Sequence, residues 1–127
     1  MLILWIIAVG VAAYSNSFDK VFLFDDYKVI KSYSPLEYVW GFNRRWFVNL
    51  TFAFNYLLDG HNEAGYHLFN LVIHIISALL LFFLVRQFIE DSSLFSFLGK
   101  WADFLSALVA SLWIAHPIQT ESVTYVC

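Results

Sequence analysis

Three groups of residues have the types and spacing to do chemistry. The first is the adjacent pair Asp25 and Asp26, directly after the apolar stretch VFLF of Val21–Phe24. A loop that dips back to a membrane at that stretch would hold two carboxylates near the bilayer surface. Repulsion between neighbours makes one of the two readier to take a proton from an attacking hydroxyl, and together their oxygens can hold a divalent cation. A solvated helix start is the plainer account, since Asp is favoured near helix N-termini.

The second group is His67, Asn70, His74 and Ser77, at offsets of three, seven and ten, which fall on one stripe of a helix. Seven residues along a helix are about 10 Å, so His67 and His74 cannot share one metal ion. Hydrogen bonds to neighbouring helices are the better role for polar groups in so apolar a run. The third group lies in Ala115–Glu121 (AHPIQTE), where His116, the helix breaker Pro117 and Glu121 stand where the chain would leave a membrane. A binding cleft often sits at such a place, and an ordinary helix terminus is the alternative. Asn49-Leu50-Thr51 fits the N-glycosylation acceptor pattern, which matters only in a secretory lumen and here lies close to apolar sequence.

The elements that must position these groups follow from composition. Of 127 residues, 61% are hydrophobic, 20% aromatic and 13% charged, against roughly 45–50% apolar and 25% charged in an ordinary soluble domain. A disordered tail is excluded and a water-soluble globule disfavoured. Seven Lys and Arg against ten Asp and Glu leave a formal charge of -3, with no basic surplus for nucleic-acid phosphates. One cysteine, Cys127, leaves no disulfide framework and no cysteine-rich metal site.

The clearest membrane segment is Tyr66–Val85, 20 residues without a formal charge, enough for roughly 30 Å of hydrocarbon. Arg86 follows at once and can snorkel to the interface. A second apolar run, strongest over Met1–Ala13, has no Lys or Arg before it as a signal peptide would, and reads as an uncleaved span. A third, Phe104–Ala115, ends where Pro117 must break or kink a helix. The expected fold is therefore an all-α membrane protein with about three transmembrane helices, near 1–15, 66–86 and 103–118. The long first loop, 16–65, carries the acidic pair; within it Asn49–Leu58 predicts a short helix with Leu50, Phe54 and Leu57 on one face, lying along the membrane with Trp40, Trp46 and Tyr56 at headgroup level. Gln87–Asp103 reads as a simple connector. A positive-inside count, with Lys20, Lys28, Lys31, Arg44 and Arg45 in the long loop, puts that loop in the cytoplasm, although six acids share it.

Four segments in this order resemble the N-terminal part of the transmembrane and tetratricopeptide-repeat proteins. That family belongs to the C-type glycosyltransferase superfamily, which includes the protein O-mannosyltransferases. The carriers are FDDYKVI (Phe24–Ile30), NLTFAFNYLLDG (Asn49–Gly60), GYHLFNLVIHIISALLLF (Gly65–Phe82) and AHPIQTESVTYV (Ala115–Val126). The pattern departs at Arg44-Arg45-Trp46, where related proteins often have Arg-Pro, and the sequence stops where the family continues towards an Arg.

The resemblance implies that 1–127 is the N-terminal part of a multi-pass membrane glycosyltransferase domain, with tetratricopeptide repeats expected downstream and the isolated piece inactive. Such an enzyme moves a mannose-like sugar from a polyprenyl- or dolichyl-phosphate donor to a hydroxyl of an acceptor protein. Its membrane would be the endoplasmic reticulum in a eukaryote and the plasma membrane in a bacterium. The first loop would face away from the cytoplasm, against the positive-inside count. An acid of that loop lies beside the acceptor hydroxyl in this superfamily, which points to Asp25 or Asp26 as base or acceptor-binding acid, with or without a divalent cation. His116 and Glu121 are secondary, substrate-binding candidates. Expected partners are the lipid-linked donor, the acceptor protein and membrane lipids, and no nucleic acid. The competing reading is a non-catalytic membrane scaffold or assembly subunit.

Overall fold

Between Tyr66 and Asp91 the chain has neither Pro nor Gly, so nothing interrupts the backbone hydrogen-bond ladder. The result is a single 29-residue helix. The computed structural model describes residues 1–15, 46–60, 63–120 and 123, and the described elements are all helical. They are α1 (Leu2–Tyr14), α2 (Trp46–Asp59), α3 (Glu63–Asp91), a 3-10 helix (Ser93–Trp101), α4 (Ala102–Ile114) and a 3-10 turn (Pro117–Gln119).

The all-α expectation holds, with shifts at the boundaries. α3 runs on to Asp91, five residues past its expected end. Arg86 and Glu90 pair at 3.0 Å on successive turns, and Ile89 is buried, so both charge and burial favour continuing the helix. The expected connector is itself largely helical from Ser93 to Trp101. α4 stops at Ile114, earlier than the expected 118, and the break falls just before Pro117. Two stretches, Ala64–Asp91 and Phe97–Ile114, are long and apolar enough to cross a membrane. α1 is apolar but has 13 residues, or about 20 Å. Of the three expected spans, length and composition therefore support two.

α1 and α4 run in one direction and α3 runs against both. Tyr14, His74 and Ile114 meet near one end of the bundle, while Arg86 meets Asp103 towards the other. The core is Ile6 of α1, Ala78 and Phe82 of α3, and Ala107, Ala110 and Ile114 of α4, with Leu2, Val9, Ile75, Leu79 and Trp113 packed around them. Small residues at these contacts let the backbones approach closely. Gly10 is the tightest case: a Cβ there would stand 2.6 Å from Ile114 Cδ1 and 3.2 Å from Ile75 Cγ1. The outer faces are apolar as well, with Leu68, Val72, Ile76, Leu80, Phe83, Leu84, Phe104, Leu108 and Leu112 all exposed. Helices apolar on every side belong in a membrane or in the core of a larger assembly.

α2 precedes α3 and packs against it, burying Ala53. It ends at Gly60, whose φ of 62° only glycine adopts freely and whose N–H bonds the Tyr56 carbonyl at 2.9 Å. The Tyr66 hydroxyl then donates to the Gly60 carbonyl at 3.3 Å, fastening the turn to α3. The predicted stripe of Leu50, Phe54 and Leu57 is on α2 and faces outward, together with Trp46.

Two outcomes are expected. Gly10→Val should overpack the meeting point of the three helices and cost about 1–3 kcal/mol, read as a lower Tm by circular dichroism in detergent. With Cys127 replaced by Ser, thiols introduced at the exposed positions Phe97 and Ile118 should react with an impermeant reagent from opposite faces of sealed vesicles.

Candidate functional site

The site is built on a helix ending. In a continued helix the Ile114 carbonyl would accept from the N–H of Ile118, four residues on. Pro117 prevents this by restricting the residue before it, and His116 is extended at φ -67°, ψ 131°. The Ile118 N–H turns instead to His116 Nδ1 at 3.2 Å. Ile114 is fully buried, and a buried carbonyl without a donor costs about 1–3 kcal/mol.

Two side chains from the other helices replace the missing donor. The Tyr14 hydroxyl of α1 donates to the Ile114 carbonyl at 3.1 Å. His74 Nε2 of α3 lies 3.3 Å from the same oxygen. Because a carbonyl only accepts, that nitrogen carries the proton, which fixes the tautomer of the neutral ring. His74 is 5% exposed. It is held edge-on by Tyr14, with ring centroids 5.4 Å apart, and tilted against Trp113 at 4.8 Å. One oxygen thus ties three helices together.

His67, two turns earlier on α3, does the same for the chain beyond the turn. Its Nδ1 lies 3.5 Å from the carbonyl of Val123, which is buried with Tyr14 and Leu71. His67 Nε2 is buried and has no hydrogen-bond partner among the described residues. The stripe is therefore one of interhelical hydrogen bonding at both histidines, while the Ser77 hydroxyl donates back to the Ile73 carbonyl of its own helix at 2.9 Å. The two histidines serve different carbonyls, in keeping with their separation. Among the described residues no group of three or more His, Cys, Asp or Glu side chains is placed to hold a metal ion.

Of the four candidate residues read from the sequence, His116 alone is described. It is exposed, and its ring caps the 3-10 turn by accepting from Ile118. In the neutral ring this puts the proton on Nε2. The Thr120 hydroxyl closes the same turn on the Pro117 carbonyl at 2.7 Å. Asp25, Asp26 and Glu121 lie outside the described residues, as does any cation site on the acidic pair. The segment that carries Asp25 and Asp26 leaves α1 after Ser15, at the end of the bundle where His116 stands. Sequence reasoning missed Tyr14 and Trp113. Tyr14 is the one side-chain hydroxyl of α1, but its acceptor is 100 residues away, and nothing local reveals it.

An open apolar groove of about 410 Å³ runs between α1 and α4, lined by Leu2, Trp5, Phe104, Ala107, Leu108, Ser111 and Leu112. It offers hydrocarbon surface and no ionisable group.

Pro117→Ala should restore an N–H at 117 and let α4 continue by a turn. Amide exchange at residue 118 is then expected to slow at least about tenfold, as a helical bond to the Ile114 carbonyl replaces the present turn, and the new N–H at 117 should be protected by the Trp113 carbonyl. Exchange as fast as in the parent would show that the proline does not end the helix.

Comparison with known proteins places this arrangement in context. No family model matches the chain, and no solved structure matches it. It is similar to Protein O-mannosyl-transferase TMTC3 of Mus musculus, 30% identical over 139 aligned residues that cover 94% of the chain and 14% of the relative. TMTC3 of Homo sapiens is 28% identical over the same shares. Tmtc3 of Drosophila melanogaster is 36% identical over 103 residues, 74% of the chain and 10% of the relative. The chain thus spans about one-seventh of the length of the mouse and human relatives it matches. Over 94% of its own length it is similar to a segment of the mouse and human protein O-mannosyl-transferases, in agreement with the kinship expected from its motifs.

Proposed function

We propose that this chain is part of a membrane glycosyltransferase that moves a mannose-like sugar from a polyprenyl- or dolichyl-phosphate donor to a hydroxyl of an acceptor protein. The observation that carries the reading is the similarity to Protein O-mannosyl-transferase TMTC3 over 94% of the chain. Two helices of spanning length, apolar outer faces and an outward apolar stripe on α2 support a multi-pass protein whose first loop lies along the membrane surface. In this reading α1 belongs to a third span, and the first loop faces away from the cytoplasm.

The roles follow from the chemistry of the step. An alcohol is a poor nucleophile until a base takes its proton, and Asp25 or Asp26 is that base. The acceptor oxygen then bonds the sugar carbon as the bond from that carbon to the phosphate oxygen breaks. The electron pair leaves with the lipid phosphate, and the proton rests on the carboxyl. His116, exposed at the bundle end from which that loop departs, and Glu121, five residues on, bind substrate beside it.

In the complete protein, replacing Asp25 and Asp26 by Asn should lower sugar transfer by about 10²–10⁴-fold while membrane insertion stays normal. Unchanged transfer would take both residues out of the mechanism and favour a scaffold whose loop binds a partner.

A further inference from the structure

The position of His116 depends on residues that do not touch it. Its ring is set by its own turn, through the Ile118 N–H, and its backbone N–H reaches the Trp113 carbonyl at 3.3 Å. That turn is fixed to the bundle two residues earlier, at the Ile114 carbonyl, by the Tyr14 hydroxyl and His74 Nε2. We propose that Tyr14 and His74 are positioning residues, which hold the Ile114 carbonyl so that His116 and the chain after it keep a fixed place at the end of the bundle. The proposal rests on the glycosyltransferase reading for what His116 does there, and on the hydrogen bonds alone for how it is held.

Geometry separates this role from ordinary core packing. The apolar core that joins the helices begins at Ile114 and extends away from the anchor to Ala78 and Phe82, one and two turns beyond His74, against Ile6, Ala107 and Ala110. Those contacts use neither donor. The helix itself cannot satisfy the carbonyl, because the N–H that would do so is engaged by His116. Both donors are buried and come from two different helices, so each restricts the carbonyl from its own side. Loss of either should free the turn and leave the bundle standing.

The test uses the complete protein with its other cysteines removed. Spin labels are attached at Leu68→Cys and Ile118→Cys to read the turn against α3, and at Leu84→Cys and Phe104→Cys to read the far end of the bundle; all four positions are exposed. Tyr14→Phe and His74→Leu should broaden the 68–118 distance distribution and leave the 84–104 distribution unchanged. In the unlabelled protein, each should lower kcat/KM by about 10- to 100-fold. His74→Gln, which keeps an N–H in reach of the carbonyl, should restore most of both. A fall in kcat/KM with the 68–118 distribution unaltered would overturn the proposal, and so would equal broadening of both pairs, which marks general loosening. If the unmodified protein transfers no sugar, the function proposed above falls and the positioning role with it, while the distances still show separately whether the anchor exists.

Discussion

A helix that ends inside an apolar bundle leaves carbonyls that water cannot reach, and this constraint organises the molecule. Pro117 ends α4 while Ile114 is still buried, so its carbonyl must find donors elsewhere. Tyr14 and His74 supply them from the two neighbouring helices. A break in one helix thereby becomes the point at which all three are registered. His67 repeats the device at the Val123 carbonyl. Polar side chains in a hydrocarbon setting are costly unless paired, and here both histidines pair with backbone carbonyls, one of them left open by the proline.

The rest of the bundle follows the rules of packing in lipid. Between helices there is little hydrophobic gain when the surroundings are equally apolar, so close approach and dispersion matter more. Gly10, Ala78, Ala107 and Ala110 provide that approach, and the large residues Leu80, Leu84, Phe104 and Leu112 face outward. At the opposite end, Arg86 meets Asp103 at 2.6 Å and Glu90 at 3.0 Å. These groups are partly exposed, where such pairs contribute little to stability, up to about 1 kcal/mol. Their effect is to mark the interface and fix how α3 and α4 meet. One end of the bundle is thus joined by buried hydrogen bonds to backbone, the other by exposed charge.

The proposed site belongs to the first of these ends. The segment bearing Asp25 and Asp26 departs from α1 there, α2 lies just before α3, and His116 follows the broken end of α4. In the proposed reaction the donor phosphate and the base for the acceptor hydroxyl would meet at the level of the membrane surface. For that reading a bundle end held by hydrogen bonds serves better than a free helix terminus, because reacting groups must hold their geometry to within fractions of an ångström.

Much of this was legible in the sequence. The charge-free run Tyr66–Val85, the outward stripe of Leu50, Phe54 and Leu57, and the helix stop at Pro117 are local properties of residue type and period, and each has its counterpart in the structure. The separate fates of His67 and His74 also followed from their spacing alone. Helix ends were less legible: α3 continues through Arg86, Glu90 and Ile89 because an ion pair and burial outweigh the change in composition. What the tertiary structure alone decided is which donors reach the Ile114 carbonyl. Tyr14 stands 100 residues from its acceptor, and its spacing in the chain carries no trace of that distance. The sequence determined that α4 must break and leave a carbonyl in need of a partner. Packing of α1 against α3 and α4 determined the partner, because a hydrogen bond is settled by where a donor arrives in space.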